Sequence, residues 1–147
     1  MAEIIFYKDF PVLLRETVSV AINDFSWLFP VWLQRLYVGF HPDEEDASAY
    51  MTIEKDYRFA NLKVCGHWVS ESSELQKEQI LHEILHLYNA PLKNAMLDAI
   101  DTLCDGTEGK LYKTIKRELV GKNEAATADL TYAIMNRFNE SKGNLQN

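Results

Sequence analysis

The sequence predicts an α+β domain, and three observations predict it. A helical period occupies the N-terminal part, alternating apolar and polar runs follow, and helical periods fill the C-terminal half. The 147 residues suffice for one domain, 1–147, with a substantial buried core. No internal repeat, low-complexity tract or linker marks a boundary within it.

The first helix is expected over Phe10 to Phe29, where Leu13, Leu14, Thr17, Val18, Ala21, Ile22 and Phe25 recur at helical spacing. Pro11 sits where a first-turn proline is tolerated, and Pro30 ends the period. Trp32 to Phe40 is rich in aromatic and branched residues and reads as a strand, followed by the acidic turn after His41. A second strand follows from Ala49, Met51 and Ile53 alternating with Tyr50, Thr52 and Glu54. The third is an extended stretch from Leu62 through Val64 and Trp68 to Val69, with Gly66 as a candidate bulge. The sheet is therefore expected to have three strands.

From Ser72 the period becomes helical. Ser73 and Gln76 have the spacing of a capping box. Ile80, Ile84 and Leu87 form one apolar row, with Leu81, Leu85 and Tyr88 beside it. Pro91 closes this helix or starts the next, which carries Leu92, Ala95, Met96, Ala99, Ile100 and Leu103. A loop at 105–109 precedes a final helical region from Leu111 to about Phe138, with Gly121 as a candidate break, and a polar tail from Ser141.

Charge and composition narrow the function. The net charge is −7, from 22 acidic residues against 15 Lys and Arg, opposite to the balance that phosphate backbones select. The basic cluster Lys110, Lys113, Lys116 and Arg117 has helical spacing and reads as a solvated face, so no nucleic acid partner is expected. No apolar run reaches the length of a bilayer span, and the N-terminus lacks the pattern of a signal peptide. The expectation is a cytoplasmic protein with no membrane partner. Cys65 and Cys104 lie outside any CxxC pair and read as small apolar residues.

The segment that carries chemistry is Gln79-Ile-Leu-His82-Glu83-Ile-Leu-His86-Leu-Tyr88, which contains H-E-x-x-H. Two histidines four apart on a helix stand one turn apart on the same face, so both imidazoles can reach one ion. They fall off the two apolar rows, which lets the helix bury one side while the histidines face a cleft. Glu83 projects beside the ion, where a carboxylate can take a proton from water. Imidazole suits zinc, whose catalytic sites keep three protein ligands and one open position. The competing origin is chance: a helix rich in Leu, Ile, His and Glu can contain this pentapeptide with both histidines on the surface or satisfied in the core.

The stretch from Trp32 to Phe138, and above all residues 79 to 88 and the region of Glu124, resembles the zincin metallopeptidases. A metzincin extension would need Gly at 89 and His at 92, where Asn89 and Leu92 stand. Asn123-Glu124-Ala125-Ala126-Thr127 is similar to the glutamate-bearing helix motif of the gluzincin branch, which implies Glu124 as third ligand beside His82 and His86. The branch's acidic residue four positions after that glutamate is replaced by Ala128, with Asp129 following. Glu118, Asp98, Asp101, Asp105 and Glu108 are the rival third ligands.

The resemblance implies a zincin-like fold, Zn²⁺ as cofactor, and zinc-dependent hydrolysis of a peptide or protein substrate with Glu83 as the catalytic base. It also implies that the strand before the motif, about Asn61 to Trp68, holds an extended substrate by main-chain hydrogen bonds. Tyr112, Tyr132, His67 and Arg117 are candidates for the group that stabilises the developing oxyanion. Two other readings remain from the residues: a catalytically silent zincin-like binding or assembly protein that keeps the metal site, and a metal-free helical interaction domain. Retention of Glu83 separates the enzyme from the first, and metal content separates the second from both.

Overall fold

The computed structural model describes residues 2–44, 46–54, 56, 58–104 and 109–143. The element order is β1 (Glu3–Phe6), α1 (Val12–Asp24), a 3₁₀ turn (Ser26–Leu28), β2 (Arg35–His41), β3 (Ala49–Glu54), β4 (Phe59–Cys65), α2 (Gly66–Val69), α3 (Ser73–Leu103) and α4 (Lys110–Gly143). The class is α+β, as the sequence predicts. Two compact units divide the chain, Met1–Leu87 and Tyr88–Asn147.

The first unit contains a four-stranded mixed sheet of order β1-β2-β4-β3, with β1, β2 and β4 parallel and β3 antiparallel to β4. This corrects the expected three strands. The additional strand, Glu-Ile-Ile-Phe, is too short to show an alternation of its own. Its identity comes from pairing with β2, in the register Glu3↔Arg35 to Phe6↔Val38.

One sheet face is buried. Leu36 and Val38 of β2 and Ala60, Leu62 and Val64 of β4 are fully excluded from solvent, while Arg35, Tyr37, Asn61 and Lys63 between them are not. The helices of this unit add Val18, Ala21 and Ile22 from α1 and Ile80, Leu81, Ile84, Leu85 and Leu87 from α3. At about 25 cal/mol per Å² of apolar surface, these side chains contribute to the driving force for the unit together with the buried Phe10, Phe25 and Trp68.

Several boundaries differ from the sequence reading for identifiable local reasons. Helix α1 stops at Asp24 because the chain tightens into the 3₁₀ turn, with the Leu28 amide bonding the Phe25 carbonyl at 2.9 Å. Strand β4 ends at Cys65, and Gly66 opens α2 instead of forming a bulge. A Cβ on Gly66 would collide with the Pro42 carbonyl oxygen, so glycine permits the loop after β2 to lie against the end of β4. The cap of α3 is Ser72, whose Oγ accepts from the Leu75 amide at 3.3 Å. Gln76 is used elsewhere: its Nε2 donates to the Trp68 carbonyl at 3.0 Å, and the Trp68 indole donates to the Gln76 carbonyl at 3.1 Å. That reciprocal pair ties α2 to the first turn of α3.

The second unit contains the remainder of α3 and all of α4. Helix α3 runs through Pro91 without interruption, and α4 passes Gly121 unbroken, so neither residue ends a helix. The buried side chains of α4 are Tyr112, Thr127, Thr131 and Met135, which recur at helical spacing on one face. Thr127 and Thr131 are polar, and both satisfy their hydroxyls within the helix, donating to the carbonyls of Asn123 and Thr127 at 2.8 Å each. No helix among the described residues is long and apolar enough to cross a membrane.

Candidate metal centre

Helix α3 presents the motif in the way its periodicity requires. Ile80, Leu81, Ile84, Leu85 and Leu87 are buried, and His82, Glu83 and His86 between them are half-buried. Tyr88, expected to extend the second apolar row, is instead half exposed at 50%. The His82 and His86 rings lie 4.8 Å apart between centroids, with their planes at 86°. One helical turn separates their Cα atoms, so the contact follows directly from the spacing.

Three side chains come together as possible ligands: His82, His86 and Glu124 each offer one donor atom, and these atoms lie within 4.8 Å of one another. They form the one such group of three or more His, Cys, Asp or Glu side chains among the described residues. Two imidazole nitrogens and one carboxylate oxygen are the donor set of a catalytic zinc site with an open fourth position. The set fits zinc without being specific to it, since other first-row divalent ions accept the same donors.

The rival third ligands fall elsewhere. Glu118 is exposed and pairs with Arg117 at 3.8 Å, side by side on α4. Asp98 and Asp101 of α3 belong to no such donor group among the described residues. Asp105 and Glu108 lie outside the described residues.

Glu83 belongs to the electrostatics of the sheet end as well as to the motif. Burial, first, and then the negative charges of Glu44 and Glu83 push the Cys65 thiol above its ordinary value. Burial, followed by the influence of Cys65 and Glu44, raises Tyr50 in the same way. The Glu83 carboxylate thus stands within electrostatic reach of the end of β4. Tyr50 Oη lies 3.4 Å from His41 Nδ1, and His41 in turn lies 3.9 Å from Glu44.

The four oxyanion candidates are dispersed. Tyr112 is buried in α4, Tyr132 and Arg117 are exposed on the same helix, and His67 is exposed on α2 with its Nε2 3.0 Å from Glu71. The expected substrate strand is also different. Strand β4 is hydrogen-bonded on both sides, to β2 and to β3, and has no free edge. The antiparallel edge of the sheet is β3.

Sequence reasoning passed over one polar contact close to the donor group. Asn89 Nδ2 donates to Thr127 Oγ1 at 3.0 Å. Asn89 is three residues after His86, and Thr127 three after Glu124, but no local spacing marks a contact between residues 38 positions apart.

Comparison with protein-family models, with curated proteins and with solved structures finds no match to this chain.

Proposed function

We propose that this chain is a zinc-dependent peptidase of minimal gluzincin-like type. The convergence of His82, His86 and Glu124 is the observation that carries the reading. A second support is the half-buried Glu83 carboxylate on the same helical turn as His82.

In this reading His82, His86 and Glu124 hold the ion. Zinc bound there would polarise the scissile carbonyl and make water more acidic. Glu83 takes a proton from the attacking water as the oxygen bonds to the carbonyl carbon. It then delivers that proton to the amide nitrogen as the C–N bond breaks, leaving an amine and a carboxylic acid, which gives its remaining proton to solvent. The substrate lies extended along β3, whose outer main-chain groups have no strand partner among the described residues.

Incubating the zinc-loaded protein with a diverse peptide library, and identifying the products by mass spectrometry, tests the activity. Internal cleavage by the wild type that Glu83→Gln lacks supports it. Identical product sets from the two proteins contradict it.

A further inference from the structure

The hydrogen bond between Asn89 and Thr127 has a specific direction. The Thr127 hydroxyl donates to the Asn123 carbonyl at 2.8 Å, so its proton is committed along α4 and only its lone pairs remain to receive the Asn89 amide. Thr127 is fully buried and Asn89 half-buried, so the accepting oxygen is shielded from water. Removing Thr127 takes this acceptor from the Asn89 amide, while removing Asn89 leaves the Thr127 hydroxyl donating to Asn123, so the contact ties the rotation of α4 about its own axis to the second half of α3.

That rotation matters because of what shares the two helix faces. Residues three apart lie one turn along the same face. Asn89 stands one turn after His86, and Thr127 one turn after Glu124. A rotation of α4 that broke the Asn89 contact would swing the Glu124 carboxylate with it. Ala128 and Asp129, which follow, are exposed, and Thr127 is the buried polar group at that turn.

We propose that Asn89 and Thr127 are positioning residues of the metal centre, and that their hydrogen bond presents Glu124 to the two histidines. The proposal rests on the peptidase reading of His82, His86 and Glu124. A contact that served only helix packing would change stability and leave the metal unaffected. A positioning contact changes the affinity and the coordination geometry of the ion.

The test uses the full chain and two readouts: zinc affinity by chelator competition, and the visible absorption of the cobalt-substituted protein, which reports coordination. The variants are Thr127→Val, which keeps the shape and removes the acceptor, Asn89→Ala at the less buried partner, Thr127→Ser as the conservative rescue, and Glu124→Ala as reference. Thr127→Val and Asn89→Ala are expected to weaken zinc binding roughly 10–100-fold, the range for orienting partners of metal ligands. Their cobalt spectra should move toward that of Glu124→Ala, and Thr127→Ser should restore both readouts. If Thr127→Val does not fold, Asn89→Ala carries the same comparison. Wild-type zinc affinity in Asn89→Ala, alongside zinc loss in Glu124→Ala, overturns the positioning role and leaves the peptidase reading standing. No zinc binding by the wild type overturns both.

Discussion

The imidazole rings of His82 and His86 meet edge to face, 4.8 Å between centroids, on one side of a helix whose other side is buried. The burial of Ile80, Ile84 and Leu87 fixes the rotation of that helix, and the rotation fixes where the rings point. The chemistry proposed for the site depends on this coupling between the core and the histidine pair.

Glu83 is assigned to proton transfer and not to binding. Glu83→Gln is therefore expected to keep its metal and to lower kcat/KM by about 10²–10⁴-fold, the usual contribution of a positioned acid or base. Metal analysis and peptide hydrolysis on the same preparation check both halves. Loss of metal in Glu83→Gln would reassign the residue as a ligand.

The two glycines that the sequence suggested as irregularities should respond in opposite directions. At Gly121, inside α4, an added Cβ meets nothing within 4 Å, so Gly121→Ala should stabilise the protein by about 0.5–1 kcal/mol through helix propensity. At Gly66 the Cβ meets backbone, the Pro42 carbonyl, which cannot rotate away, so Gly66→Ala should destabilise by about 1–3 kcal/mol. Urea denaturation of the two variants measures both signs.

Cys65 carries a pH dependence. Its thiol is raised in the folded state, chiefly by burial and then by Glu44 and Glu83. Below the ordinary thiol range both folded and unfolded chains keep the proton, and nothing is lost. As pH rises through that range the unfolded chain releases its proton first, the folded chain then holds more protons, and stability falls until the raised value is passed. Tyr50, raised for similar reasons, adds to the alkaline loss at higher pH. Cys65→Ala should therefore show a shallower alkaline fall in Tm than the wild type. An identical fall would show that the buried thiol does not titrate as described. Native Cys65 should also resist alkylation until the chain is unfolded.

Leu62, fully buried at the centre of β4, tests the sheet itself. Leu62→Ala should cost about 2–5 kcal/mol, the range for cavity formation in a close-packed core. A loss under about 1 kcal/mol would mean that the buried face of the sheet is looser than the exclusion of Leu36, Leu62 and Val64 indicates.

Much of this architecture is legible in local sequence. The alternation over Ala49 to Glu54 matches β3 residue for residue, and the motif helix has the buried rows that its spacing predicts, except at Tyr88. What is not legible depends on partners distant in sequence. Strand β1 pairs with β2, and its four residues, though Ile and Phe favour strands, are too few to show an alternation. Among the described residues the edge strands are β1 and β3 and not the strand before the motif, because β4 pairs with β2 on one side and β3 on the other. Pro91 misleads for a different reason: a proline removes one amide donor, and helix on both sides carries α3 across the gap. Within the candidate site, the histidine pair follows from a short-range spacing. The Asn89–Thr127 contact needs two helices to be placed before it can be seen.

The most direct measurement is metal content after dialysis against metal-free buffer, by elemental mass spectrometry, for the wild type, His82→Ala, Glu124→Ala and Glu118→Ala. The account predicts about one zinc per chain in the wild type and in Glu118→Ala, as a three-ligand site requires, and loss of zinc in the other two. Equal zinc in Glu124→Ala and the wild type, or a wild type that retains none, would contradict it.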